Sequence, residues 1–281
     1  MGVFLSLVIL IGWLASYYYN SSAILYVSIG FAFIMNLYAY WFSDKVAISS
    51  AGAKPADEHE YIELHRTVEN LAITAGLPKP RVYIVDDPAP NAFATGRNKE
   101  HAVIAVTTGL LAMMNKTELE GVIAHELSHV GNRDILVMSV AVVLVGVISI
   151  IANIALRVSM FGGRGNDREG GGNIFAIIAF VLAIILAPLA AQLIELAISR
   201  RREFLADASG ALLTRYPDGL ASALQKLGSY QAPMLRASTT TAHLFITNPF
   251  GAHPAGMWVQ KLFSTHPPIP ERVAALEGMR V

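Results

Sequence analysis

Ala124-His125-Glu126-Leu127-Ser128-His129 and, six residues beyond it, the uncharged run 135–156 decide how this chain is read. On a helix His125 and His129 stand one turn apart and only about 40° apart around the axis. Two imidazoles so placed can grip one metal ion. Glu126 lies about 60° from His129 on that helix, so it can lean over the metal without binding it. A carboxylate there can take a proton from water that the metal has made acidic. Thr117 with Glu120 three residues on fits a capping box, and Val122, Ile123 and Leu127 supply an apolar face. The spacing therefore predicts a helix that starts near Asn115 or Thr117.

Two histidines do not complete a site, because catalytic zinc normally has three protein ligands and one open position. The chain has no cysteine, so the third ligand must be His, Glu or Asp. Arg200-Arg201-Arg202-Glu203-Phe204-Leu205-Ala206-Asp207 offers Glu203. Asp207 is one helical turn further on and can accept a hydrogen bond from the free N–H of a ligand histidine, fixing its tautomer. One zinc ion per chain is the expected cofactor.

Composition points to a membrane. Of the 281 residues 54% are hydrophobic and 15% charged, with a formal net charge of zero; average soluble domains carry about 25% charged residues. That much apolar surface excludes disorder. The absent net charge argues against nucleic acid as a partner, and the absent cysteine excludes a disulfide scaffold and thiol catalysis. The apolar excess is gathered in uncharged runs at 3–19, 23–42 and 135–156, and in a fourth, 174–198, whose one ionisable residue is Glu195. A helix needs about 20 apolar residues to cross a bilayer, so four spans are expected, the first marginal. Tyr17 to Tyr19, and Tyr38, Tyr40 and Trp41, gather at run ends as interfacial aromatic residues do.

Four domains follow: 1–42 as an N-terminal transmembrane hairpin, 43–134 as the first part of the catalytic domain, 135–198 as a second hairpin, and 199–281 as the second part. The chain crosses twice between His129 and Glu203, so both emerge on one face. His129 precedes the third span by about 9 Å of helix and Glu203 follows the fourth by about 7.5 Å, so they sit at nearly equal height. Near the span ends Lys45, Lys54, Arg133, Arg200, Arg201 and Arg202 lie on that side, against Arg157, Arg164 and Arg168 on the other. Positive residues favour the cytoplasmic side, so this distribution favours a cytoplasmic active site.

Within the polar segments the pattern predicts helices over 56–75, from 218 to about 230 and over 271–278, with short strands at 81–85, 91–96 and 102–106. The loop 162–172 is glycine-rich and reads as a connector.

His125-Glu126-x-x-His129, Arg200-Arg201-Arg202-Glu203-Phe204-x-Ala206-Asp207, and Leu262-Phe263-Ser264-Thr265-His266-Pro267-Pro268 with Glu271-Arg272 together resemble the HtpX family of membrane-bound zinc metalloproteases. CAAX prenyl proteases are its wider relatives. The resemblance covers the whole chain, including Pro90-Asn91-Ala92-Phe93-Ala94-Thr95-Gly96. It implies an α-helical membrane protein with an α+β zincin-like protease domain that cleaves misfolded membrane proteins and often itself. It makes His125, His129 and Glu203 the zinc ligands, Glu126 the general base and Asp207 an orienting group. It also implies a substrate-facing strand at Asn91, Ala92, Phe93 and Ala94, which would pair with an extended peptide by its edge, and a role for His266 or Arg272 at the oxyanion. The rival readings are a CAAX-type protease, a catalytically silent membrane scaffold, and a transporter. The last would need more ionisable or helix-breaking residues inside the spans than Asn36, Asn153, Pro188, Gln192 and Glu195.

Overall fold

Two apolar helices open the chain: α1 (Gly2–Tyr18) and α2 (Ser22–Ala51), folded back on one another through a turn at Asn20, φ 48°. The computed structural model describes residues 2–161, 200–236, 238, 241–251 and 267–279; the run 174–198 and His266 lie outside them. Tyr26, Val27, Phe33 and Ile34 on α2 are all more than half exposed. A contiguous apolar face of this kind is not left to water in a soluble protein. Helix α2 does not stop where its apolar run ends. It continues to Ala51 and buries Ser43, Ala47 and Ala51 against the rest of the chain. It is capped by Gly52, whose φ of 67° lets its N–H reach back to the carbonyls of Ile48 and Ser49.

A four-stranded sheet follows, built from β1 (Lys54–Pro55), β2 (Arg81–Val85), β3 (Ala92–Thr95) and β4 (Val103–Thr107) in the order β1-β2-β4-β3. Strands β2 and β4 are parallel, while β1 and β3 are antiparallel to their neighbours, which leaves β3 at one edge. Alternate side chains of β4 face opposite ways. Ile104 and Val106 pack with Leu64 and Val68 of α3 (Ile62–Thr74) and with Val122 and Ile123 of α5 (Lys116–Gly131). Ala105 packs on the other side with Ala47 of α2 and with Met138 and Val142 of α6 (Asp134–Phe161). The sheet thus lies between α3 and α5 on one side and α2 and α6 on the other. A short α4 (Thr108–Met113) precedes α5, and α7 (Arg200–Thr214), α8 (Pro217–Ser229) and α9 (Ile269–Glu277) complete the fold.

One expectation changes. The cap of α5 is Asn115, not Thr117. Its side chain accepts from the Glu118 amide while the Glu118 carboxylate accepts from the Asn115 amide. Glu118 is chosen because it also meets Ser222 and Lys226 of α8. Among the described residues, α2 is the one helix long and apolar enough to cross a membrane. Helix α5 with the start of α6, bent by 84°, is the pair that passes as a second. Helix α1, at 17 residues, is shorter than a full span.

Helices α5 and α8 cross with almost no room between their backbones. A Cβ on Gly121 would lie 2.7 Å from the Leu220 amide nitrogen and 2.9 Å from its Cα. Gly121→Ala should therefore destabilise the protein by about 1–3 kcal/mol, the usual range for overpacking. Thermal unfolding in detergent should show a lower midpoint, and an unchanged midpoint would mean the helices part freely.

Candidate active site

Helix α5 presents His125, Glu126 and His129 inward, all nearly inaccessible to solvent. Helix α7 crosses it closely enough that a Cβ on Gly210 would lie 3.0 Å from the His125 amide nitrogen. Its face 203, 206, 207 and 210 is fully turned to α5, which brings Glu203 and Asp207 to the histidines. The His125 and His129 rings stand perpendicular, with their Nε2 atoms 3.2 Å apart. Glu203 Oε1 is 3.5 Å from His129 Nε2, and Glu203 Oε2 is 3.9 Å from His125 Nε2. One donor atom from each of His125, His129 and Glu203 lies within 4.8 Å of the other two. Two nitrogens and a carboxylate oxygen, buried and converging, are a donor set suited to zinc.

Both imidazoles are held from behind. Asp207 Oδ1 is 2.9 Å from His125 Nδ1, and Asp134 Oδ2 is 3.1 Å from His129 Nδ1. These contacts leave each Nε2 facing the shared space, the arrangement that orients metal-ligating histidines. Asp207 is itself clamped by Arg272 of α9, which donates from Nε at 2.8 Å and from Nη2 at 2.7 Å. Arg272 is fully buried; its Nη1 donates to the Ile246 carbonyl at 3.2 Å and lies 3.8 Å from Glu203. Arg202 pairs with Asp134 from the half-exposed side.

The charges follow this packing. Burial pushes Glu126 up to about 7, a value matched to proton transfer near neutrality. The nearby Ala94 backbone amide of β3 acts in the opposite direction and lowers it, but burial prevails. Burial alone would raise Asp207, but the bonds from Arg272 and His125 outweigh it and hold it at about 2. Burial drives His125 down. The same burial acts on His129, but the Asp134 hydrogen bond and the charges of Glu203 and Glu126 prevail and raise it to about 8.

The sequence-predicted residues are thus largely brought together: His125, Glu126, His129, Glu203, Asp207 and Arg272 form one cluster, with Ala94 beside it. Asn91 is buried and braces the strand by holding Thr247, and Phe93 turns into the core edge-to-face against Phe245, 5.1 Å between centroids. Asp134 was missed by sequence reasoning. It follows His129 by five residues across a helix break, where helical periodicity gives no guidance. The signal that could have found it is an aspartate at the mouth of an apolar run, where a charge needs a partner.

The profile of peptidase family M48 matches residues 58–280. The chain is 48% identical over 278 residues to a Protease HtpX homolog of Caldanaerobacter subterraneus subsp. tengcongensis, covering 96% of this chain and 90% of the relative. It is 51% identical over 247 residues to one of Pyrococcus furiosus, covering 87% and 83%. The crystal structure of S. mikatae Ste24p shares its fold at a TM-score of 0.52 and 21% identity, over 90% of this chain and 58% of that one. With a buried His-His-Glu cluster carried on the helices that the family profile spans, the chain belongs to peptidase family M48 and is a membrane metalloprotease of the HtpX kind.

Proposed function

We propose that this protease uses one zinc ion, held by His125, His129 and Glu203, to hydrolyse peptide bonds in misfolded or damaged membrane proteins at the cytoplasmic face of the inner membrane. The observation that carries the reading is the convergence of those three buried donors beside a carboxylate, Glu126, that is not one of them. A zinc ion bound there supplies Lewis acidity, which polarises the scissile carbonyl and acidifies water.

The remaining work falls to the chain's own side chains. Glu126 takes the proton of the attacking water and passes it to the leaving amine, as its position near neutrality suits. Asp207 and Asp134 hold the imidazole tautomers. Arg272 is read as a positioning residue that acts through Asp207, which takes its Nε and Nη2 donors, with Nη1 donating to Ile246 and lying 3.8 Å from Glu203. Strand β3 is read as the substrate strand, because it is a sheet edge immediately beside Glu126. Membrane proteins are the favoured substrates because the exposed apolar helices α1 and α2 belong to the same chain as the site. The four-span arrangement and the cytoplasmic orientation rest on run length and on the six-to-three distribution of Lys and Arg near span ends. The HtpX relatives, matched over most of the chain, disfavour both a silent scaffold and a CAAX-type specificity.

Glu126→Gln should retain metal while cleavage of a model membrane protein falls by about 10²-fold or more. Glu203→Ala should lose both metal and activity. Metal analysis on the two purified variants alongside a digestion assay separates the roles; full proteolysis by metal-loaded Glu126→Gln would remove Glu126 as the base.

Metal uptake should also depend on pH in a stated direction. In the metal-free protein His129 is raised to about 8, so its protonation stabilises the fold below about 6.5, and that contribution is lost as pH rises through about 8. Zinc must displace that proton, so affinity should weaken as pH falls below about 8. Asp134→Asn should move the bend in the affinity profile to lower pH, while affinity at high pH falls about 10–100-fold. Titration with a fluorescent zinc competitor across pH reads both effects.

A further inference from the structure

The turn that follows β3 carries a cluster of cations that the catalytic reading does not use. Arg97 lies with its guanidinium 4.7 Å from the ring centroid of Trp41, and Lys45 sits 5.1 Å from that of Phe42. Arg97 also donates to His101 Nε2 at 2.6 Å, and the His101 ring in turn donates from Nδ1 to Asn98 Oδ1, so the guanidinium is held in place. A groove of about 370 Å³ opens here, bounded by Trp41, Phe42, Lys45, Arg81 and Arg97. Three cations face it against one carboxylate, Asp44, which is already paired with Arg81 at 2.9 Å. Among the described residues neither Lys45 nor Arg97 has a carboxylate partner. On its other side the turn borders a second hollow, of about 200 Å³, lined by Lys99, Arg133 and the carboxylate Glu100 together with Ile135 and Leu136 at the start of α6.

The level of this groove identifies its occupant. Trp41 and Phe42 end the apolar run of α2, and both are more than 40% exposed. Lys45 is the first cation beyond that run, and Arg133 is the last before the apolar run of α6. Apolar and aromatic walls below, with fixed cations above, match an acyl chain joined to a phosphate group. We propose that the groove between α2 and the 97–101 turn binds the headgroup of an anionic phospholipid. The turn continues β3 directly, and the Gly96 amide is pinned to Ser139 of α6 at 3.1 Å. A lipid phosphate on Arg97 therefore braces the strand beside Glu126 against both membrane helices. The proposal rests on the reading of α2 as a membrane helix.

The test uses the full chain with Trp13→Phe and Trp258→Phe, which leaves Trp41 as its sole tryptophan. It is reconstituted in phosphatidylcholine vesicles, and brominated phosphatidylglycerol or brominated phosphatidylcholine is titrated in to quench Trp41. The ratio of the two association constants should favour phosphatidylglycerol on the order of tenfold, as expected for two unpaired cations at the surface. Lys45→Gln with Arg97→Gln should bring that ratio close to unity with metal content unchanged. Lys79→Gln with Lys116→Gln, an equal change of net charge away from the groove, should leave it intact. Equal loss in the second pair would reduce the effect to general surface charge and overturn the site. Loss of the preference on adding inorganic phosphate at constant ionic strength would make it a free-anion site and overturn the lipid assignment. If α2 is not a membrane helix, neither brominated lipid quenches Trp41, an outcome distinct from quenching without preference.

Discussion

A fully buried guanidinium can persist only if its charge is met by hydrogen-bonded carboxylate, and the Arg272–Asp207 clamp meets it. The rest of the site depends on that pair. Asp207, held anionic at about 2, is free to fix His125. Arg272 also ties the Ile246 carbonyl to α9, and Ile246 in turn donates to the Ala92 carbonyl of the edge strand at 3.0 Å. One buried charge pair thus sets the orientation of the His125 imidazole and the lateral position of β3. The cluster holds four carboxylates, Glu126, Asp134, Glu203 and Asp207, against two permanent cations, Arg202 and Arg272. The raised value of His129 reflects its carboxylate neighbours Asp134, Glu203 and Glu126, whereas that of Glu126 comes first from burial; a divalent ion held by His129 would replace the imidazole proton.

The break between α5 and α6 joins this cluster to the apolar helix α6. The chain turns by 84° through Asn132 and Arg133, the latter at a φ of 63°, before the apolar helix begins. Asp134, the first residue past the turn, reaches back to His129. Ser139, one further helical turn along, bonds Thr95 at 2.7 Å and the Gly96 amide. The first two turns of α6 therefore hold both the His129 ring and the edge strand.

How much of this the sequence disclosed depends on whether periodicity or tertiary contact made the choice. That His125, Glu126 and His129 would cluster was legible because a helix puts i and i+4 on one face, and the absence of cysteine narrowed the candidates for a third donor to residues among which Glu203 stood. Strands β2, β3 and β4 were legible to within a residue or two at their ends. The cap of α5 was not, because Asn115-x-x-Glu118 and Thr117-x-x-Glu120 fit one pattern equally well, and a lysine and a serine more than a hundred residues away decided between them. Strand β1 has two residues and pairs only with β2, so no local period marks it. Run length suggested spans, but it could not say that α2 would continue as one helix into the catalytic domain.

The free side of the edge strand is closed at both ends and faces the cluster between them. Asn91 pairs with Thr107, so the groups of β3 that face away from β4 are those of Ala92, Ala94 and Gly96. Of these the Ala92 carbonyl is taken by Ile246 and the Gly96 amide by Ser139. Between them the Ala94 amide is turned toward Glu126, so a peptide that added to this edge, as proposed, would meet the proposed base at the middle of the strand.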